Sequence, residues 1–126
     1  MLATNTWIGG GLPNVTAWEQ ANNWSSGSAP TSTDDVVIDS GPNQPTITSA
    51  YDHANSLTLN DGAILTFNPN GWLALLGQVL NNGLITSVQG GFGAAGVTNN
   101  GTITGAEIGG EGRSQITGPS TIAPLC

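Results

Sequence analysis

Residues 59–66, LNDGAILT, form the stretch that decides the fold, because closely similar segments return twice later in the chain. The later copies are residues 80–86, LNNGLIT, and residues 98–104, TNNGTIT. The copies begin about 20 residues apart, and a fixed period of this size is typical of a solenoid, in which each repeat is one coil stacked on the last.

Each copy combines a turn with a strand. The Asn-Gly or Asp-Gly pair is a strong turn signal, since both residues accept the left-handed backbone of a tight corner. The residues after the pair alternate between apolar and polar, as a half-buried strand does. Ordinary hairpins in a β-sandwich are the alternative. The return of the same side-chain pattern in register favours a β-solenoid over the sandwich.

Charge is scarce in these 126 residues, which hold one basic residue of the Lys and Arg types (Arg113), eight Asp and Glu, and a formal net charge of −7. A phosphate backbone is bound by several basic side chains, so we expect no nucleic-acid partner. No apolar run approaches the roughly 20 residues of a membrane helix, so we expect no membrane insertion. Ample Val, Ile, Leu and Thr with 19 Gly indicates a folded all-β domain rather than disorder.

The composition also bears on the compartment. A weakly charged surface rich in Thr, Asn and Gly is common in extracellular proteins that pack against copies of themselves. No signal peptide is visible, so a secreted protein would be present here in its mature form or as a fragment. Cys126 is the only cysteine, which leaves no internal disulfide. It is a chance terminal residue, a residue at which a longer chain was cut, or the site of an intermolecular bridge.

Residues 1–35 differ from the rest, since they hold three of the four Trp among turn-forming residues. The first coil of a solenoid would otherwise expose its apolar interior and an unpaired strand edge. We therefore predict a Trp-rich N-terminal cap at residues 1–35 and β-solenoid coils at residues 36–126. The alternative is a platform on which sugar rings stack, with Trp18 and Trp24 as glycan contacts.

A series of motifs follows a recognisable order: WIGG at residues 7–10, ANNWS at 21–25, Pro30 and DDVVI at 34–38, followed by the N-N-G repeats. This order resembles the opening module of secreted bacterial β-helix surface proteins, which include autotransporter-associated β-strand repeat proteins and large adhesins. The resemblance implies a right-handed parallel β-helix, export, a structural or adhesive role, and no catalytic residues. The shortness of the chain favours a small self-associating subunit over a long stalk.

The remaining pattern predicts a series of short strands. We expect them at residues 36–38, 46–48, 56–59, 63–67, 72–76, 78–80, 84–88, 115–117 and 121–123, with a short strand at 7–8 and a helical turn at 17–21. Residues 51–53 are interpreted as a corner or a bulge, and the Gly-rich segments 89–96 and 107–113 as loops. The core candidates are the large apolar residues Ile64, Leu65, Phe67, Leu73, Leu75, Val79 and Ile85.

Candidate chemistry is limited to carboxylates. His53 is the only histidine, so a zinc cluster and a nucleophilic triad are both missing. Asp34, Asp35 and Asp39 carry the oxygen ligands that calcium takes, and they form the candidate metal site. Hydrogen bonding to backbone amides is the alternative role for these residues. We expect no other cofactor and no enzymatic activity.

These observations favour a secreted structural protein that assembles with copies of itself into an extracellular filament, sheath or surface layer. The alternative is an adhesin or carbohydrate-binding module of the bacterial cell surface, with surface polysaccharide as its partner. A glycan-active enzyme is a third option, which lacks a recognisable catalytic set. Burial of the cap Trp side chains would favour the structural role over glycan contact.

Overall fold

The computed structural model describes residues 3–49, 52–87, 89–109, 116–117 and 121–123. Arg113 and Cys126 lie outside these ranges. In the described part of the chain the elements are short strands and one turn of 3-10 helix at Ala21–Asn23. The strands are β1 (Ala3–Thr6), β2 (Asp34–Ile38), β3 (Thr46–Ile47), β4 (Asp52–Ala54), β5 (Ser56–Leu59), β6 (Ile64–Phe67), β7 (Gly71–Leu75), β8 (Gln78–Asn81), β9 (Leu84–Ser87), β10 (Gly90–Gly93), β11 (Gly96–Asn99), β12 (Thr102–Thr104), β13 (Glu107–Gly109), β14 (Ile116–Thr117) and β15 (Thr121–Ala123).

These strands form three parallel sheets. Face 1 has the strand order β1-β2-β5-β8-β11-β14, face 2 the order β3-β6-β9-β12-β15, and face 3 the order β4-β7-β10-β13. Every third strand returns to the same face, so coils 1 to 4 are β2–β4, β5–β7, β8–β10 and β11–β13. The predicted β-solenoid is confirmed, and the sandwich of antiparallel hairpins is wrong. A right-handed winding stays a prediction of the resemblance.

The coils differ in length although their strands stay in register. On face 1, Val36 pairs with Leu57, Leu57 with Val79, and Val79 with Val97, at separations of 21, 22 and 18 residues. The corners between faces therefore absorb the differences in length. The strands keep their partners because each inward side chain must lie over the inward side chain of the coil below.

The interior is a continuous apolar column. Alternate residues of each strand point inward, and stacked sets such as Leu65, Ile85 and Ile103 are completely buried. Burying side chains of this size contributes about 1.5–3 kcal/mol each. Of the core candidates, Ile64 is wrong: its side chain is 38% exposed, because burial of Leu65 turns its neighbour outward. The other six are buried.

The N-terminal segment closes the first coil. Strand β1 pairs in parallel with β2 and extends face 1 by one strand. On face 2, Thr46 N–H donates to Thr16 O at 2.7 Å and Trp18 N–H donates to Thr46 O at 3.0 Å. The strand edges of faces 1 and 2 at this end are therefore occupied, as a cap requires. The predicted boundary at residues 35/36 falls inside β2.

Three local predictions are wrong. Residues 52–54 form strand β4 rather than a corner, the predicted Gly-rich loop contains strand β10, and residues 107–109 form strand β13. A stacked coil supplies backbone partners whatever the side chains are, so the register Gly90↔Gly71 forms despite low strand propensity. The helical turn also falls later than predicted, at Ala21–Asn23, and β1 precedes the expected strand at residues 7–8.

Candidate functional site

The repeated Asn-Asn-Gly corners stack on each other through their first asparagine. Asn81 and Asn99 are fully buried at the end of face 1. Asn81 Nδ2 donates to Asn99 Oδ1 at 2.8 Å and to Thr102 O at 3.0 Å, while Asn81 Oδ1 accepts from Gly83 N–H at 3.1 Å. This side chain therefore satisfies the backbone of its own corner and of the next one.

The glycines of these corners serve close approach rather than an unusual backbone. Positive φ occurs at Gly62 but not at Gly83 or Gly101, so the expectation of a left-handed corner is wrong for the second and third copies. A Cβ at Gly83 would instead overlap the carbonyl oxygen of Ala63, and one at Gly101 would overlap the carbonyl oxygen of Gly83. Only glycine allows the corners to stack this closely.

The outer surface of face 2 carries a regular array of hydroxyl groups. Thr46, Thr66, Thr86 and Thr104 are register partners in four successive coils, and we call this set the threonine rank. All four side chains are half-buried, and Thr104 Oγ1 donates to Thr86 Oγ1 at 3.2 Å. No strand of face 2 contains a charged residue. The rank therefore lies on a flat, uncharged strip.

The three carboxylates predicted as a calcium site bond to different parts of the chain. Asp35 Oδ1 accepts from Asn55 Nδ2 at 2.8 Å and from Ser56 Oγ at 2.7 Å, and these hydrogen bonds hold the pKa of Asp35 below its ordinary value. Asp39 Oδ1 accepts from Asn60 Nδ2 at 2.6 Å.

The third carboxylate, Asp34, accepts from Thr31 N–H through Oδ2 at 3.0 Å. Within the described ranges, no three side chains of the His, Cys, Asp and Glu types lie close enough together to share a metal ion. The bonds of Asp34, Asp35 and Asp39 link coils and turns, and calcium binding at these residues stays a prediction.

The two tryptophans predicted as glycan contacts lie inside the cap. Trp18 is 0% exposed and Trp24 is 1% exposed. The Trp24 ring meets Trp18 at 4.7 Å and Trp7 at 5.1 Å in edge-to-face geometry, and Trp24 Nε1 donates to Trp18 O at 2.7 Å. Neither Trp18 nor Trp24 offers a ring face to solvent, so their arrangement serves to fill the cap.

A fourth tryptophan, Trp72, lies on the outer surface of face 3. Its neighbour Leu73 is buried, so the alternation of β7 turns Trp72 outward, where it is half-buried. A Cβ at Gly93 would be 3.4 Å from the indole ring, and one at Gly109 would be 3.2 Å from it. The ring therefore covers the glycines of the next two coils. The sequence predicts a strand at residues 72–76 but does not indicate that Trp72 lies on its outer side.

A pair of carboxyl groups lies where the cap meets the first coil. Glu19 Oε1 accepts from Thr48 Oγ1 at 3.0 Å, and its Oε2 accepts from the N–H groups of Thr48 and Ser49 at 3.3 Å each. Asp52 is hydrogen-bonded to Glu19 and pairs in register with the buried Leu73, so it faces inward. This contact is not predictable from the sequence, because the two acids are far apart along the chain.

The pairing of Asp52 with Glu19 leaves Asp52 apart from the adjacent histidine. His53, its neighbour in β4, is exposed and points to the opposite side of the strand. Asp52 and His53 therefore do not form an acid/base pair.

Three stacked parallel sheets closed by an aromatic cap define a β-solenoid protein. The chain belongs to the family described as a domain of unknown function, DUF8693, whose model matches residues 6–106. The match runs from the end of β1 to the start of β13, so it includes the cap and nearly four coils. No curated protein and no solved structure matches the chain. In the part of the chain that the structure describes, no apolar helix of membrane-spanning length occurs.

Proposed function

We propose that this protein is a structural subunit of the cell exterior that assembles side by side with copies of itself. The observation that carries the proposal is the threonine rank on the uncharged surface of face 2. A flat strip of this kind loses no hydrated charge when a second copy covers it, and hydroxyl groups can pair across the contact. The resemblance to secreted β-helix proteins supports an exported, non-enzymatic role.

The size of the strip determines how strong such a contact can be. Five strands spaced about 4.8 Å apart, with about three residues each at about 3.3 Å, give an area on the order of 250 Å². A stable pairwise interface buries about 800 Å² on each partner. One face-to-face contact is therefore too small for a discrete dimer. We expect association only at high concentration, where many contacts in a sheet or bundle act together.

The charge of the chain sets the solution conditions for assembly. A formal net charge of −7 makes copies repel one another at long range. Salt screens this repulsion, with a Debye length of about 10 Å at 0.1 M, while the uncharged contact is unaffected. Assembly should therefore increase with ionic strength, unlike assembly through ion pairs.

The proposal is tested by negative-stain electron microscopy and analytical ultracentrifugation across protein and salt concentration. We expect ordered sheets or bundles that grow with both variables. Thr86→Lys, in the centre of the rank, should abolish them. Thr58→Lys is the matched control, because Thr58 is also half-buried and faces outward on face 1 between Val37 and Leu80. Monomers under every condition, or equal loss of assembly in both variants, would overturn the proposal.

Carbohydrate binding is a second candidate, which the position of Trp72 favours. An indole ring that packs over Gly93 and Gly109 on the outside of a sheet has one face available for a sugar ring. Surface polysaccharide is the partner in this case. Binding to immobilised bacterial glycans by wild type but not by Trp72→Ala, with Trp18→Phe as a variant of a buried ring, would support it. Adding calcium to both experiments tests the role predicted for Asp34, Asp35 and Asp39.

A further inference from the structure

The cap and the first coil meet at the carboxyl groups of Glu19 and Asp52. Glu19 follows Trp18, which is completely buried in the cap, so the position of its backbone is fixed by the cap. Its two oxygens accept three hydrogen bonds from Thr48 and Ser49, directly after β3. Asp52 begins β4 on the next face. Glu19 thus spans the corner between faces 2 and 3 of the first coil.

The surroundings of the pair fit one shared proton. Glu19 needs its negative charge, because it accepts from two backbone N–H groups and a hydroxyl. The Oδ2 atom of Asp52 is buried and has no hydrogen-bond partner among the described residues. An ionised Asp52 would leave this oxygen without a donor and would repel Glu19. A neutral Asp52 can instead donate its proton to Glu19.

We propose that Glu19 and Asp52 form a proton-dependent latch, which holds the cap on the first coil while Asp52 is neutral and weakens when Asp52 ionises. Opening the latch frees the N–H groups of Thr48 and Ser49 and uncovers the corner between β3 and β4. The latch lies at the junction between the cap and the first coil and does not depend on self-association through face 2.

The electrostatics of the pair agree with this geometry. Burial, followed by the hydrogen bond and the charge of Glu19, raises the pKa of Asp52 to about 8. Burial alone would raise the pKa of Glu19, but hydrogen bonds from Asp52 and Thr48 outweigh it and lower that pKa overall.

Among the residues that the structure describes, the other elements packed against Asp52 bring no positive charge. Strand β7 places Leu73 beside it. On β2, the carboxylate of Asp34 is bonded to Thr31 N–H. The side chain of His53 is exposed on the far side of β4.

The sign of the pH effect follows from the raised pKa. An Asp52 freed by opening of the cap ionises at its ordinary pKa, whereas in the closed cap it stays neutral up to about pH 8. The contribution of Asp52 to the closed cap is therefore largest below the ordinary Asp pKa, whereas the lowered pKa of Glu19 makes the contribution of Glu19 fall in that acid range. The contribution of Asp52 falls as the pH rises toward 8 and is constant above that value. One proton is involved, so the closing equilibrium falls by about tenfold per pH unit.

Amide hydrogen exchange of the intact protein, corrected for the intrinsic pH dependence of exchange, measures this slope. The Trp18 N–H, which donates to Thr46 O, reports the contact between cap and coil. The Leu84 N–H, which donates to Ala63 O at 2.9 Å between coils 2 and 3, is the internal reference. We expect protection at Trp18 to fall about tenfold per pH unit between about pH 5 and about pH 8, while protection at Leu84 changes little.

Variants identify the responsible group. Asp52→Asn should abolish the slope at Trp18, and His53→Gln should leave it unchanged. Glu19→Gln provides an independent check if Asp52→Asn does not fold. The new amide can donate to an ionised Asp52 and the charge of Glu19 is gone, so the slope should end at a lower pH than in wild type, while burial of Asp52 keeps the rest of it. A flat profile in wild type, an equal slope at Leu84, a slope that persists in Asp52→Asn, or a profile of Glu19→Gln identical to that of wild type would overturn the latch.

Discussion

Replacing Asn81 by Ala should destabilise the solenoid strongly. The substitution removes three hydrogen bonds of a fully buried side chain: the donations to Asn99 Oδ1 and Thr102 O, and the acceptance from Gly83 N–H. Each intramolecular hydrogen bond contributes a net of about 1 kcal/mol, and a buried group left without a partner costs about 1–3 kcal/mol. We therefore expect a loss of about 3 kcal/mol or more, against a typical total stability of about 5–15 kcal/mol.

Urea unfolding followed by far-ultraviolet circular dichroism measures this loss, because the signal comes from all coils rather than from the Trp cluster of the cap. Asn82→Ala is the matched control in the same triplet. Asn82 Oδ1 accepts one exposed hydrogen bond from Asn100 Nδ2 at 3.0 Å, so its removal should cost about 0.5 kcal/mol. Equal costs for Asn81→Ala and Asn82→Ala would refute the assignment of Asn81 as the residue that joins the corners.

Gly83→Ala should lower the free energy of unfolding by about 1–3 kcal/mol, since a Cβ there overlaps a backbone carbonyl. Gly41→Ala is the control and should be nearly neutral, because its Cβ would meet only Gln44 Nε2 at 3.7 Å. Similar urea midpoints for the two variants would contradict the close stacking of the corners. Trp24→Phe should lower the free energy of unfolding by about 1–3 kcal/mol, because it leaves the buried Trp18 carbonyl without its donor. An unchanged melting temperature would count against a role of the hydrogen bond from Trp24 Nε1 to Trp18 O. Because the pKa of Asp35 is lowered in the folded protein, the stability that this carboxylate contributes is present above the ordinary Asp pKa and is lost as the pH falls through the lowered value. The urea midpoint of wild type should therefore fall more steeply in acid than that of Asp35→Asn, and parallel pH profiles would exclude the contribution.

The repeated triplets made the coil architecture predictable, because Asn-Gly corners about 20 residues apart leave room for three short strands per coil. The register was not predictable, since the coils are separated by 21, 22 and 18 residues on face 1. Strand β10 was missed for a related reason. Its glycines carry no strand signal of their own and pair because β7 presents its backbone to them.

The candidate site was less visible in the sequence than the fold. The threonine rank appears only once Thr46 and Thr104 are known to be partners in one column, three coils apart. In the triplet, nothing in the letters Asn-Asn-Gly indicates that Asn81 is inside and Asn82 outside. The clustering of Trp near the N-terminus is visible in the sequence, but size and hydrophobicity alone do not distinguish an aromatic cap from an aromatic binding surface.

The short strands of the first coil have a mechanical consequence. Strands of successive coils lie on top of one another, so their hydrogen bonds run along the axis of the solenoid. Tension applied between the two ends therefore opens these bonds one coil at a time instead of shearing a whole sheet. Strand β3 has two residues and β4 has three, fewer than any strand of the second coil. We expect the joint between the first two coils to yield under a smaller load than the joint between the second and third coils.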